Sequence, residues 1–179
     1  MNYSVRRAAD RDLPELKRMR LSLQELLLDK DPRVIRMSPE FVAELDRFYA
    51  DVMAKDENRI YVAVDEADRP VGMVMLRILD IPRFDPRPMG RIDDAWVDKE
   101  WRNQGVMKNL VRACAGFLME RAVPLAMLDW ANNNPPSGEC WQKLGFVPLM
   151  TMGFAAPADL CRAEHVRRSE PHPEPGRHA

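Results

Sequence analysis

The chain has 179 residues, 46% of them hydrophobic and 31% charged, with a formal net charge of −1. That length suits one domain with a substantial core, and balanced charge without a basic run argues against a general nucleic-acid binder. No apolar run approaches a membrane span, and the opening Met-Asn-Tyr-Ser-Val-Arg-Arg has no signal-peptide core. The expectation is therefore a cytoplasmic protein with neither nucleic acid nor membrane as partner.

Residues 3–7 can form a short strand. Asp10 or Asp12 offers a helix N-cap, and Pro14 falls in the first turn, where proline is tolerated. Leu13, Leu16, Met19, Leu23 and Leu27 recur at helical spacing, which predicts a helix to about Leu28. Ser38-Pro39-Glu40 starts a second helix, with its apolar stripe on Phe41, Val42, Leu45, Phe48, Tyr49, Val52 and Met53. Residues 60–64 and 71–79 read as two strands joined by a hairpin turn. Residues 80–90, with Pro82, Pro86 and Pro88, read as an irregular loop. Strand 92–97, helix 106–121, strand 125–130, a short helix after Asn134 and a last strand 146–154 complete the order. It is a mixed α/β layout with one crossover helix. A domain over 1–155 and a Pro-rich C-terminal extension over 156–179 follow from the change in composition, with a short helix to about Val166 and a flexible end.

Cys114, Cys140 and Cys161 are too few and too scattered for a disulfide framework or a zinc site. His165, His172 and His178 all lie near the C-terminus, so neither a metal site nor a His-based triad is expected in the domain.

Strand 92–97 runs through Asp98-Lys99-Glu100 and Arg102-Asn103-Gln104-Gly105 into apolar residues at helical spacing: Met107, Leu110, Val111, Cys114, Phe117 and Leu118. A strand–loop–helix of this kind aims unpaired backbone amides at one point, at the positive end of a helix dipole, where phosphate binds. An ordinary connection in which Gly105 only relieves a tight turn is the alternative.

Arg102-Asn103-Gln104-Gly105-Val106-Met107 resembles the R/Q-x-x-G-x-G/A loop of the GNAT (GCN5-related N-acetyltransferase) family, with Met107 at the second small position. The segment 134–146 is similar to the family's N-x-x-A-x-x-[LF]-Y-x-K-x-G-F. Asn134, Lys143, Gly145 and Phe146 fit, Ser137 stands for alanine, and Trp141 stands for tyrosine. The resemblance spans residues 3 to about 153. It implies an α/β (α+β) acyl-CoA N-acyltransferase fold, with a mixed sheet of about six strands and about four helices. It also implies acetyl-CoA as donor and an amine of a small molecule or peptide as acceptor, without a metal, in a possible homodimer.

By the same resemblance, Gln104, Gly105, Val106, Met107 and Lys108 hold the pyrophosphate. Arg102 adds charge there or orients the loop, the strand end with Trp96 and Val97 pairs with the pantetheine arm, and Asn134 contacts the cofactor or simply caps its helix. Asp93 aligns with a glutamate proposed as base in some relatives. Asp94 is its neighbour, and strand alternation places the two on opposite faces. Trp141 cannot serve as the tyrosine's acid, because an indole N–H does not release a proton at physiological pH; it can wall the site. An alternative is a non-catalytic or weakly active acyl-CoA-binding module. Asp29, Asp31, Asp80, Asp85, Asp93 and Asp129 are candidates for an acidic acceptor pocket, and Phe84, Met75, Trp130 and Trp96 for an apolar wall; surface and core roles are their alternatives.

Overall fold

Among the described residues five strands form one mixed sheet in sequence order: β1 (Ser4–Arg7), β2 (Asn58–Val64), β3 (Pro70–Leu79), β4 (Met89–Val97) and β5 (Leu125–Met127). The computed structural model describes residues 2–83 and 85–162. Phe84, the three histidines, Val166 and the end of the extension lie outside the described residues. β1 to β4 pair antiparallel, and β5 lies parallel to β4. The helices are α1 (Leu13–Lys30), α2 (Pro39–Ala43), α3 (Leu45–Met53), α4 (Val106–Glu120), α5 (Pro135–Lys143) and α6 (Pro157–Arg162). The described chain divides into two units, one ending at Phe146 and one beginning at Val147, which contains α6.

The apolar stripe of α4 explains one face of the sheet. Val106, Leu110, Cys114, Phe117 and Leu118 pack with Val71, Val74, Leu76, Ile92 and Val97. The stripes of α1 and α3 cover the other face, where Leu16, Met19, Leu45, Tyr49 and Val52 meet Ile60, Val62, Met73 and Met75. Helix 38–53 is interrupted at Glu44, which ends α2 and begins α3.

Three expected boundaries move. β4 begins at Met89, inside the expected loop, because β3 extends to Leu79 and pairs it there. β5 stops at Met127 rather than Trp130. Residues 146–154 form no strand; Pro148 lacks the amide a ladder needs, and Gly153 weakens a strand further.

α4 sits so close on β4 that Gly90 has no room for a side chain: a Cβ there would lie 2.6 Å from Leu118 Cδ2. Gly90→Ala is expected to lower stability by about 1–3 kcal/mol through overpacking, as read by urea denaturation.

Candidate active site

β5 pairs only with the first three residues of β4, Met89 to Arg91. Among the described residues the rest of β4 has no strand on that edge, so its backbone groups look into the space between β4 and α5. A cleft of about 510 Å³ opens there. Ala95, Trp96 and Val97 of β4, the turn at Arg102 and Asn103, and Gly105 to Lys108 form one side; Asn134 and Trp141 form the other. Leu23 and Leu26 of α1 line it too.

The turn into α4 has the shape an anion needs. Asn103 and Gly105 adopt the left-handed conformation (φ +62° and +80°), and Gly105 is the N-cap. The first helical bond runs from Asn109 N–H to Gly105 O, so the amides before it point out of the helix start. The first turn of α4 holds no acidic residue and contains Lys108.

Most of the residues expected to bind the cofactor lie together here. Trp96, Val97, Arg102, Gly105, Val106, Met107, Lys108, Asn134 and Trp141 all line the cleft, and Gln104 does not. The Gln104 side chain turns back, Nε2 donating to Glu100 O at 2.7 Å. Arg102 braces the strand end. Its Nε donates to Val97 O at 2.9 Å, and its guanidinium carbon lies 5.0 Å from the centre of the Trp96 ring. Trp96 in turn donates to Asp98 at 2.8 Å, and Arg18 grips both oxygens of Asp98, tying α1 to the end of β4. Asn134 occupies the N-cap position of α5 but makes no side-chain capping bond. Trp141 is buried, stacks edge-on against Phe146, and donates its indole N–H to Ser137 Oγ at 3.1 Å.

The two aspartates do not alternate as expected. Val74 faces both Asp94 and Ala95, since Met73 pairs with Trp96 and Met75 with Asp93. This is a β-bulge, with Asp94 at φ +48°. Met75, directly across from Asp93, belongs to the α1/α3 face, and cross-strand partners share a face. Asp94 reaches the same helices: Arg20 Nε on α1 forms an ion pair with it at 3.0 Å, and Tyr49 Oη on α3 donates to it at 3.0 Å. The bulge thus puts both carboxylates on one side of the sheet, against the expected opposition.

Their environments differ. Asp93 is held on both oxygens, by Arg77 at 2.7 Å and by Arg91 at 2.9 Å. Asp94 is 14% exposed and adjoins the cleft residue Ala95. Burial pushes its pKa up, against the opposing pull of Arg20 and Tyr49. Burial also raises the pKa of Tyr49. Arg20 Nη1 is buried without a hydrogen-bond partner, a state that costs about 1–3 kcal/mol and more for a charged group.

The expected acidic pocket does not form as such. Asp129 pairs with Arg91, Asp80 with Arg87 and Asp31 with Arg33. Met75 is core, and Trp130 packs where a Cβ on Gly138 would be, 2.9 Å from its Nε1. Residues not anticipated at the cleft are Leu23, Leu26, Trp101, Asn103 and Cys140, and Arg20 was not anticipated beside Asp94. Arg20 had a signal: it interrupts the stripe Leu16, Leu23, Leu27 with a charge. Among the described residues no group of three or more His, Cys, Asp or Glu is placed to hold a metal, and no helix is long and apolar enough to cross a membrane.

No curated protein matches this sequence. Similar solved structures include a tetramutant of the BH1408 protein from Bacillus halodurans, 21% identical over 86% of this chain and 99% of that one, with a TM-score of 0.74. Another is a predicted acetyltransferase from Clostridium acetobutylicum with acetyl-CoA, 17% identical over 92% and 100%, with a TM-score of 0.68. A third is glucosamine-6-phosphate N-acetyltransferase from Arabidopsis thaliana, 16% identical over 88% and 99%, with a TM-score of 0.66. At these identities the likeness carries the fold. The model of the acetyltransferase (GNAT) family matches residues 21–146, so the chain belongs to the GNAT acetyltransferase family.

Proposed function

We propose that the protein transfers the acetyl group of acetyl-CoA to an amine of a small molecule or peptide. The observation that carries this reading is one cleft bordered both by a glycine-led helix start and by the unpaired half of β4. The amides at the start of α4, with Lys108, suit a pyrophosphate. The free edge of β4 suits an amide-bearing arm, which adds to it as a strand would. The Clostridium acetobutylicum relative, solved with acetyl-CoA, supports the same donor.

Acetyl-CoA supplies an activated acyl group, and the remaining work falls to the protein. The amine nitrogen bonds to the acetyl carbon as the C–S bond breaks and coenzyme A leaves as its thiolate. Asp94 is the better-placed base, because it adjoins the cleft residue Ala95 and pairs with one arginine where Asp93 is held by two. It takes the amine proton directly or through one water. A backbone N–H of β4 near Val97 polarises the acetyl carbonyl. Trp96 and Trp141 keep water from the reacting atoms. The indole of Trp141 is committed to Ser137, so solvent protonates the thiolate.

Thiol release on mixing acetyl-CoA with a panel of amines tests the reading. Release that depends on an amine supports it; tight acetyl-CoA binding with no release from any amine points instead to a non-catalytic acyl-CoA-binding module.

Gly105→Val is expected to weaken acetyl-CoA binding about 10-fold. A β-branched residue held at φ +80° costs about 1–2 kcal/mol, and relaxing it misaligns the amides. Calorimetric Kd values for the two proteins check this.

A further inference from the structure

The loop that leads into α4 is tied to a residue 101 positions before it. Tyr3, which directly precedes β1, packs edge-on against the cleft residue Trp101, with ring centres 6.4 Å apart and planes at 88°. Its hydroxyl accepts from Asn109 Nδ2 at 2.7 Å and donates to the backbone carbonyl of Gln104 at 3.4 Å. The Asn109 amide fills a lone pair of the hydroxyl and leaves the phenol proton for Gln104 O. Asn109 is also the residue whose N–H closes the first turn of α4 on Gly105 O. One phenol therefore joins the start of the helix to the loop ahead of it. A Cβ on Gly105 would lie 3.6 Å from the same hydroxyl.

The Gln104 carbonyl matters because of the peptide it belongs to. In a planar trans peptide the C=O and the following N–H point in opposite directions, so fixing Gln104 O also fixes the direction of the Gly105 N–H. The local sequence does not do this. Flipping the 104–105 peptide changes mainly ψ of Gln104 and φ of Gly105, and glycine accepts either sign of φ. Asn103 and Gly105, both left-handed, flank Gln104 in a turn that offers such a flip little resistance of its own. Gly105 lines the cleft, whereas Tyr3 does not.

Resting on the acetyl-CoA reading, we propose that Tyr3 is a positioning residue for the pyrophosphate: its hydroxyl, held by Asn109, sets the Gln104–Gly105 peptide so that the Gly105 N–H joins the amides offered at the start of α4. Tyr3 touches no ligand. It acts through the loop, by removing the reordering that the loop would otherwise undergo on binding.

The test is titration calorimetry of the full chain with coenzyme A and with pantetheine, which has the same amide-bearing arm and thiol but no pyrophosphate. Tyr3→Phe keeps the ring on Trp101 and removes only the hydroxyl. It should weaken coenzyme A about 3- to 10-fold, the net worth of one hydrogen bond, and leave pantetheine binding unchanged. Asn109→Ala should act in the same direction. The double variant should lose less than the product of the two single losses, because both act through one hydroxyl. A tyrosine that only packs on Trp101 would leave coenzyme A binding unchanged on losing its hydroxyl, and one that only supports the fold would weaken both ligands alike; either result overturns the proposal. So does equal affinity of the unaltered protein for coenzyme A and pantetheine, which needs no variant to fold. Acetyl transfer to amines is measured in parallel. Coenzyme A binding that depends on the Tyr3 hydroxyl, without thiol release from acetyl-CoA, keeps the positioning role and sinks the transfer reading. Acetyl transfer by a protein whose coenzyme A affinity ignores that hydroxyl does the reverse.

Discussion

Replacing Asp94 with asparagine is expected to lower kcat for acetyl transfer by about 10²- to 10⁴-fold, the usual worth of a positioned base, with the Kd for acetyl-CoA near its starting value. Asparagine keeps an oxygen for Arg20 and can donate its amide N–H to the Tyr49 hydroxyl, so the bulge can persist. The pH profile adds a second reading. Burial raises the Asp94 pKa, so the acid limb of kcat should lie above the ordinary carboxylate range near 3.9 and vanish in Asp94→Asn. Stability carries the opposite sign from a salt-bridged surface aspartate. The folded state holds this proton more tightly than the unfolded chain does. The contribution of Asp94 is therefore fully present below the unfolded pKa and is lost as pH rises through the folded one. Urea midpoints for the two proteins across that window should show the variant lacking this loss. The same substitution at Asp93 should act mainly on stability, because two arginines would lose their shared partner.

Trp141→Ala is expected to cost about 3–5 kcal/mol, the range for removing a large buried aromatic. The indole is 7% exposed and carries contacts to both Phe146 and Ser137. Denaturant unfolding measures the loss. Trp141→Tyr isolates chemistry from packing. It keeps a ring in the wall and restores a hydroxyl that can protonate a thiolate. A large gain in rate would mark the natural site as weakly active; a small change would mean that solvent already protonates the thiolate fast enough.

The proposed cofactor half of the site is legible in the sequence because it depends on backbone shape, and backbone shape has local signals. Gly105 ahead of an apolar helical stripe announced the turn, and the segment from Asn134 to Phe146 announced the opposite wall. The side chain of Gln104 folds back onto Glu100, which leaves the backbone role implied for that residue untouched. The proposed catalytic half is less legible. Alternation along β4 is a sound rule until a bulge breaks it, and nothing in Asp93-Asp94-Ala95 signals a residue at φ +48°. Arg20 and Tyr49 come from helices distant in sequence, so only the packed structure brings them to Asp94. The strand expected after Phe146 rested on apolar content, which Pro148 outweighs.

The short reach of β5 has a cost that falls on the protein before any ligand arrives. A β4 edge without a strand partner is a template on which a stray chain can add itself, and apolar strands exposed in this way seed aggregation. Arg102 stands at the end of that edge, its Nε on the Val97 carbonyl and its guanidinium against Trp96. It occupies the acceptor that an intruding strand would use and places a charge where a fibril would have to dehydrate it. The side chain that braces the cleft thus also guards the protein's solubility, so its loss should show first as turbidity on storage in the absence of acetyl-CoA.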